Sequence, residues 1–149
     1  MVLDIHGGAT QGGKIQTFPH KRGQNCDNQL WHLDKDGFLK SKTGLVADIQ
    51  GANSSQGANV IAWPQKSHGT ANQQWVIRDG RIRSKLNNLV MDIHSASTAP
   101  CTNIIMWPEK TSGNANQMWR MVPEKEMEAS STPGKLRVLS RGHIEYKCR

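Results

Sequence analysis

Asn72-Gln73-Gln74-Trp75 has two counterparts in the same chain, Asn28-Gln29-Leu30-Trp31 and Asn116-Gln117-Met118-Trp119. The three tryptophans are spaced 44 residues apart both times. Self-similarity at a fixed period sets the architecture before any local propensity does. Outward from this stretch, Val2-Leu3-Asp4-Ile5-His6, Val46-Ala47-Asp48-Ile49-Gln50 and Val90-Met91-Asp92-Ile93-His94 fall on the same 44-residue spacing. Between each Asp and its Trp stands an apolar-aromatic-Pro element: Ile15-Gln16-Thr17-Phe18-Pro19, Val60-Ile61-Ala62-Trp63-Pro64 and Ile104-Ile105-Met106-Trp107-Pro108. The Asp-to-aromatic distance is fifteen positions in repeats 2 and 3 and fourteen in repeat 1, which regains the missing position before Asn28.

Each repeat reads as four short strands. The first is Gly37 to Lys42, or Gly80 to Lys85; the second is the Val-x-Asp-Ile element. A Gly/Ser/Ala/Asn-rich turn such as Gln50 to Asn59 leads to the third, which carries the aromatic residue and stops at proline. The fourth is expected to run from Gln73 through Trp75 to Ile77, with Gln73 and Trp75 pointing the same way. Short strands at even spacing with turn signals between them indicate an all-β chain. A propeller needs at least four blades, so three four-stranded units indicate a pseudo-threefold trefoil barrel with repeats at about 1–35, 36–78 and 79–122.

Repeat 1 lacks its first strand, and the 123–149 tail can supply it. Arg141-Gly142-His143-Ile144-Glu145-Tyr146-Lys147 resembles Asp79 to Lys85. Eleven positions separate Gly37 from Asp48, and eleven also separate Gly142 from Asp4 when the count passes from Arg149 to Met1. The chain is thus three 44-residue units with a 17-residue excess between Trp119 and Gly142. Gly134 to Val138 competes for the same strand, a disordered basic tail is the alternative to both, and Glu124 to Ala129 can form one helical turn after Pro123.

Composition sets outer bounds. The 149 residues suffice for one domain with a real core, although only 36% are apolar. The net charge of +7 raises the question of nucleic acid or anionic surfaces, but no basic run exceeds two residues, which reads as a solvated basic surface. Cys26, Cys101 and Cys148 occupy non-equivalent positions without metal or redox spacing, so free thiols are expected. Neither a basic-then-apolar leader nor a bilayer-length apolar run is present. The expectation is a soluble protein, cytoplasmic or released without a signal peptide, with no cofactor, no metal site and no membrane insertion.

The Trp of each Asn-Gln-x-Trp reads as core, and its Gln as a brace for loop backbone. Asp48 differs. A carboxylate within an apolar strand costs free energy if buried unpaired, which places it at a strand end beside a cleft. There it can accept hydrogen bonds from two neighbouring sugar hydroxyls. Trp63, at the lip of a loop beside Pro64, offers a flat face to a pyranose, and Asn72 adds a donor and an acceptor. On this reading Asp48→Ala silences the site without harming the fold. Taken singly, Asp48 reads equally as a turn-stabilising side chain and Trp63 as part of a satellite cluster; three copies in register favour sugar.

The Gln-x-Trp triplicate, the Val-x-Asp-Ile strands and the aromatic-Pro elements resemble the ricin B-type lectin family of β-trefoils, over roughly residues 1–122. That resemblance implies a sugar held by the Asp, a Gln two residues before the aromatic, the aromatic and the Asn. Repeat 1 matches with Asp4, Gln16, Phe18 and Asn28; repeats 2 and 3 match with Asp48, Trp63, Asn72 and with Asp92, Trp107, Asn116. Ile61 and Ile105 replace the Gln, and Phe18 is a poorer platform than Trp. His6, Gln50 and His94, two after each Asp, are further candidate contacts. The family's frequent intra-repeat disulfides have no counterpart here.

The implied function is a multivalent lectin for galactose- or N-acetylgalactosamine-type glycans. A trefoil used as a protein-interaction or inhibitor module needs one loop rather than three equal ones. An enzyme is disfavoured because three dispersed carboxylates cannot converge as a catalytic pair. Nucleic-acid binding rests on charge alone.

Overall fold

The computed structural model describes residues 1–22, 25–124 and 142–146. Among them lie twelve strands: β1 (Val2–Ile5), β2 (Ile15–Phe18), β3 (Trp31–Leu33), β4 (Leu39–Ser41), β5 (Val46–Ile49), β6 (Val60–Trp63), β7 (Trp75–Arg78), β8 (Arg81–Ser84), β9 (Val90–Ile93), β10 (Thr102–Trp107), β11 (Trp119–Pro123) and β12 (Gly142–Tyr146). Among the described residues the strands pair antiparallel, and the pattern is a β-trefoil. Within each repeat the second strand pairs with the third, as in Asp4↔Gln16, Asp48↔Ile61 and Ile105↔Asp92. The fourth strand of each repeat pairs with the first strand of the next: Trp31↔Ser41, Trp75↔Ser84 and Trp119↔Tyr146.

β12 completes this cycle. It pairs with β11 over five positions, with β1 at Val2↔Glu145 and with β3 at Gly142↔Trp31. The equivalent contacts of β4 and β8 to their second strands are Lys40↔Val46 and Arg83↔Val90. The segment from Gly142 is therefore the first strand of repeat 1. The competing segment 134–138 and the turn expected over 124–129 lie wholly or largely outside the described residues.

Threefold layers fill the core. Trp31, Trp75 and Trp119 are buried, and their indole N–H groups donate to the carbonyls of Leu3, Ala47 and Met91 at 3.0, 3.1 and 3.3 Å. A second layer takes Leu39, Ile82 and Ile144 from the first strands, and a third takes Ile5, Ile49 and Ile93 from the second. Burying an aromatic ring or a branched chain contributes about 1.5–3 kcal/mol each, so the layers compensate for a modest apolar fraction. No disulfide joins Cys26 and Cys101, the two cysteines among the described residues; Cys148 lies outside them. No helix among the described residues is long and apolar enough to cross a membrane.

Candidate functional site

The Asn-Gln pair that precedes each core Trp lies in a single 3-10 turn, Asp27–Gln29, Ala71–Gln73 and Ala115–Gln117, and not on the fourth strand. This corrects the expected strand start at Gln73. The turn is closed by Gln N–H donating to the carbonyl of Cys26, Thr70 or Asn114 at 2.8, 2.8 and 2.9 Å, the i→i+3 pattern. Gln73 and Trp75 therefore diverge, the Trp into the barrel and the Gln beneath the loop that follows Trp63.

Each of these glutamines braces that loop. Gln29, Gln73 and Gln117 each accept a 2.9 Å bond at Oε1, from the backbone N–H of Lys21, Lys66 and Lys110 respectively. Their Nε2 groups donate to the carbonyls of Pro19, Pro64 and Pro108 at 2.9–3.0 Å. The same Nε2 reaches Asp4, Asp48 or Asp92 at 2.9, 2.8 and 2.9 Å. One side chain thus ties the aromatic-Pro loop to the carboxylate on the neighbouring strand.

The aspartates are nearly buried, and each is held by its asparagine as well. Asn28, Asn72 and Asn116 donate through Nδ2 to Asp4, Asp48 and Asp92 at 2.9, 3.1 and 2.9 Å, and to the carbonyls of Ile5, Ile49 and Ile93. Their Oδ1 atoms accept from the ammonium groups of Lys21, Lys66 and Lys110 at 3.2, 2.6 and 3.1 Å. Lys21 and Lys110 also form ion pairs with Asp4 and Asp92 at 3.8 and 3.4 Å. Burial pushes the Asp48 carboxyl above the usual carboxylate value, against the hydrogen bonds from Gln73 and Asn72 and the charge of Lys66.

These lysines escaped the sequence reading, although a signal was present: Pro19-His20-Lys21, Pro64-Gln65-Lys66 and Pro108-Glu109-Lys110 repeat in register. In repeat 3 the loop has a further anchor. Glu109 is paired with Arg83 and, at 3.2 Å, with Arg81, whose guanidinium also donates to the carbonyl of Lys110. The Arg83 hydrogen bond, reinforced by the charges of both arginines, holds the Glu109 carboxyl below its usual value.

The side chains open onto a cleft. In repeat 3 it has a volume of about 410 Å³ and is lined by Asp92, Lys110, Trp107, Ile105, His94 and Ser95. Asn59 of the preceding repeat, overlooked in the sequence, also lines it. Trp63, at the same place in repeat 2, is 37% exposed. Behind the two indoles lie Gly12 and Gly57, at φ +80° and +86°, where a Cβ would stand 3.6 and 4.0 Å from the Cζ3 atoms of Trp63 and Trp107. Glycine is favoured there by the positive φ, since a Cβ at either distance would make only ordinary contact with the ring.

Repeat 1 is built differently. Gln16, read from the sequence as an added ligand contact, is buried and donates through Nε2 to Asp4 at 3.1 Å. Asp4 thus accepts from three amides, Asp48 and Asp92 from two each. A carboxylate offers about four acceptor positions, so Asp48 and Asp92 keep more capacity for a ligand. Phe18 is half-buried and lies under the ammonium of Lys21, 5.8 Å from the ring centroid. His6, Gln50 and His94 are all exposed beyond their aspartates.

A trefoil whose three repeats each hold a braced carboxylate beside an aromatic-Pro loop has the plan of a carbohydrate-binding module. Residues 1–119 match the Ricin-type beta-trefoil lectin domain, and the chain belongs to that family. No curated protein sequence matches the chain. Among solved structures it is similar to the designed threefold-symmetric protein ThreeFoil, at 30% identity and a TM-score of 0.66, covering 79% of this chain and 87% of that one. It is similar also to the C-half of the earthworm R-type lectin in complex with GalNAc, at 25% identity and a TM-score of 0.64, covering 78% and 85%. A non-toxic homologue of type II RIPs from Momordica charantia (bitter gourd), in complex with α-methyl-D-galactoside, shares the fold at 22% identity and a TM-score of 0.64, covering 79% of this chain and 42% of that one.

Proposed function

We propose that the protein is a multivalent lectin for galactose- or N-acetylgalactosamine-type glycans, with the clefts of repeats 2 and 3 as its principal sites. The observation that carries this reading is the third cleft, which a carboxylate with spare acceptor capacity and an ammonium group line together with an indole. Galactose suits such a cleft because its axial 4-hydroxyl leaves one ring face apolar. That face stacks on Trp63 or Trp107 while Asp48 or Asp92 accepts from adjacent hydroxyls and Lys66 or Lys110 donates. Asn72 and Asn116 serve mainly to orient the carboxylate, since their own groups are already engaged. Repeat 1 is the weakest site, with its amide groups turned inward. The GalNAc and methyl-galactoside complexes of the two lectin-like relatives support the choice of sugar.

The decisive test is a titration with methyl galactoside, N-acetylgalactosamine and glucose, followed through the indole signals of Trp63 and Trp107. The galactose-type sugars should shift both signals at roughly millimolar concentration, and glucose should not. A Trp63→Ala, Trp107→Ala double variant that still bound galactosides with unchanged affinity would overturn the site assignment.

A further inference from the structure

The three clefts share an aspartate, an asparagine and a lysine, but one wall of each is borrowed from the preceding repeat in the ring. At the third cleft, Gly57 N–H donates to the Met106 carbonyl at 2.6 Å and Met106 N–H to the Ala58 carbonyl at 2.9 Å, which sets Asn59 opposite Ile105. Residues directly opposed in an antiparallel pair share a face, and Ile105 shares its face with Trp107, two positions on. Asn59 accordingly lines that cleft beside both.

The same junction recurs at the other two clefts with different side chains. At the second, Gly12 N–H donates to the Ala62 carbonyl at 2.7 Å and Ala62 N–H to the Gly13 carbonyl at 2.8 Å, which sets Lys14 opposite Ile61. At the first, Cys101 N–H donates to the Thr17 carbonyl at 2.7 Å and Asn103 stands opposite Gln16. By register the borrowed position is thus Asn103, Lys14 and Asn59 for repeats 1, 2 and 3, and Asn103 also lines the third cleft. Lys14 is exposed, its backbone is fixed by the His6 N–H donating to its carbonyl at 2.9 Å, and it has no ion pair among the described residues. Lys66 already counters Asp48. By this register Lys14 stands at the second site where Asn59 stands at the third, so the second site has Lys14 as well as Lys66 for one carboxylate.

We propose that the second cleft is the protein's site for acidic glycans: Lys14, supplied by repeat 1, receives a sulfate or carboxylate group attached to the sugar that lies on Trp63. Asn59, neutral at the same position, leaves the third cleft to uncharged sugars. This assignment rests on the lectin reading above and adds to it a charge preference that differs among otherwise equal sites.

The test is a site-resolved NMR titration of the full chain with methyl galactoside, galactose 6-sulfate and sialyllactose, reading the Trp63 and Trp107 indole signals separately. At low salt the acidic sugars should bind about two- to fivefold tighter than the neutral one at Trp63, as expected for one solvent-exposed ion pair, and show no such gain at Trp107. Raising the salt should erase the ratio. Lys14→Asn should bring the ratio at Trp63 to one, and Asn59→Lys should create it at Trp107. A gain with only galactose 6-sulfate or only sialyllactose would identify which anion Lys14 reaches. Equal ratios at the two signals, or a ratio unmoved by Lys14→Asn, would overturn the assignment while leaving the lectin reading intact. If methyl galactoside shifted neither signal, the lectin reading itself would fall and this one with it.

Discussion

Asp48 joins binding to stability, because its two acceptor bonds hold Asn72 and Gln73 in place. Asp48→Ala removes hydrogen bonds to a charged group, each of which contributes about 1.5–3 kcal/mol. Both donors keep a backbone carbonyl, of Ile49 and of Pro64, which limits the loss. The expectation from sequence that this variant leaves folding intact is therefore revised: it should lose the site and also about 1–3 kcal/mol of stability, read by urea denaturation. Trp63→Ala is the cleaner probe, since its ring is partly exposed. It should silence the second cleft at a stability change below about 1 kcal/mol, whereas Trp75→Ala, a buried Trp, should cost about 3–5 kcal/mol. Acid should act on the same residue. The folded Asp48 carboxyl titrates above its ordinary 3.8 because burial disfavours the charge. Its protonation thus stabilises the fold fully below that ordinary value, and the contribution is lost as the pH rises through the raised one. On the proposed reading binding runs the other way, because it needs the ionised form to accept the sugar hydroxyls. Affinity at Trp63 should fall as the pH drops toward the carboxylate range, with a midpoint above 3.8. A midpoint at or below that of a free aspartate would contradict it.

At the scale of elements, β12 is the piece on which closure depends. Its backbone pairs with β1, β3 and β11, and Ile144 occupies the core layer of Leu39 and Ile82. Removing the strand leaves unpaired edges on β1 and β11 and a gap in that layer. A chain truncated after residue 141 should melt many degrees lower than the full chain. Ile144→Ala should lose about 2–5 kcal/mol by cavity formation. An unchanged melting curve for the truncated chain would show that the strand contributes nothing to closure.

For the molecule as a whole, the proposed sites belong to different repeats of one barrel, so on the lectin reading a clustered glycan surface should engage more than one at a time. Linked weak sites gain avidity by about a hundredfold or more when geometry allows simultaneous contact. Trp63→Ala should therefore reduce retention on an immobilised galactoside surface far more than it reduces binding of free sugar to Trp107. Equal reductions in the two assays would mean that the sites act singly.

The 44-residue period carried most of the architecture, because a threefold barrel repeats the same core demands at equal intervals and writes them as the Val-x-Asp-Ile and Gln-x-Trp elements. The aspartates and aromatic residues of the clefts were legible for the same reason. The β12 strand was half legible: Gly142 to Lys147 resembles Gly80 to Lys85, but the 17-residue excess hid which segment closes the ring. Pairing with β1, β3 and β11 resolved it. The direction of each polar side chain was decided only by tertiary structure. Gln16 matches a ligand-contact pattern in sequence, yet it turns inward because Asp4 lies directly opposite it on the paired strand. Asn59 read only as the end of a turn, and it lines the third cleft because one repeat's hairpin is bonded to the next repeat's third strand. A repeat shows what each unit shares; what one unit lends to its neighbour depends on contacts across the chain that no local spacing records.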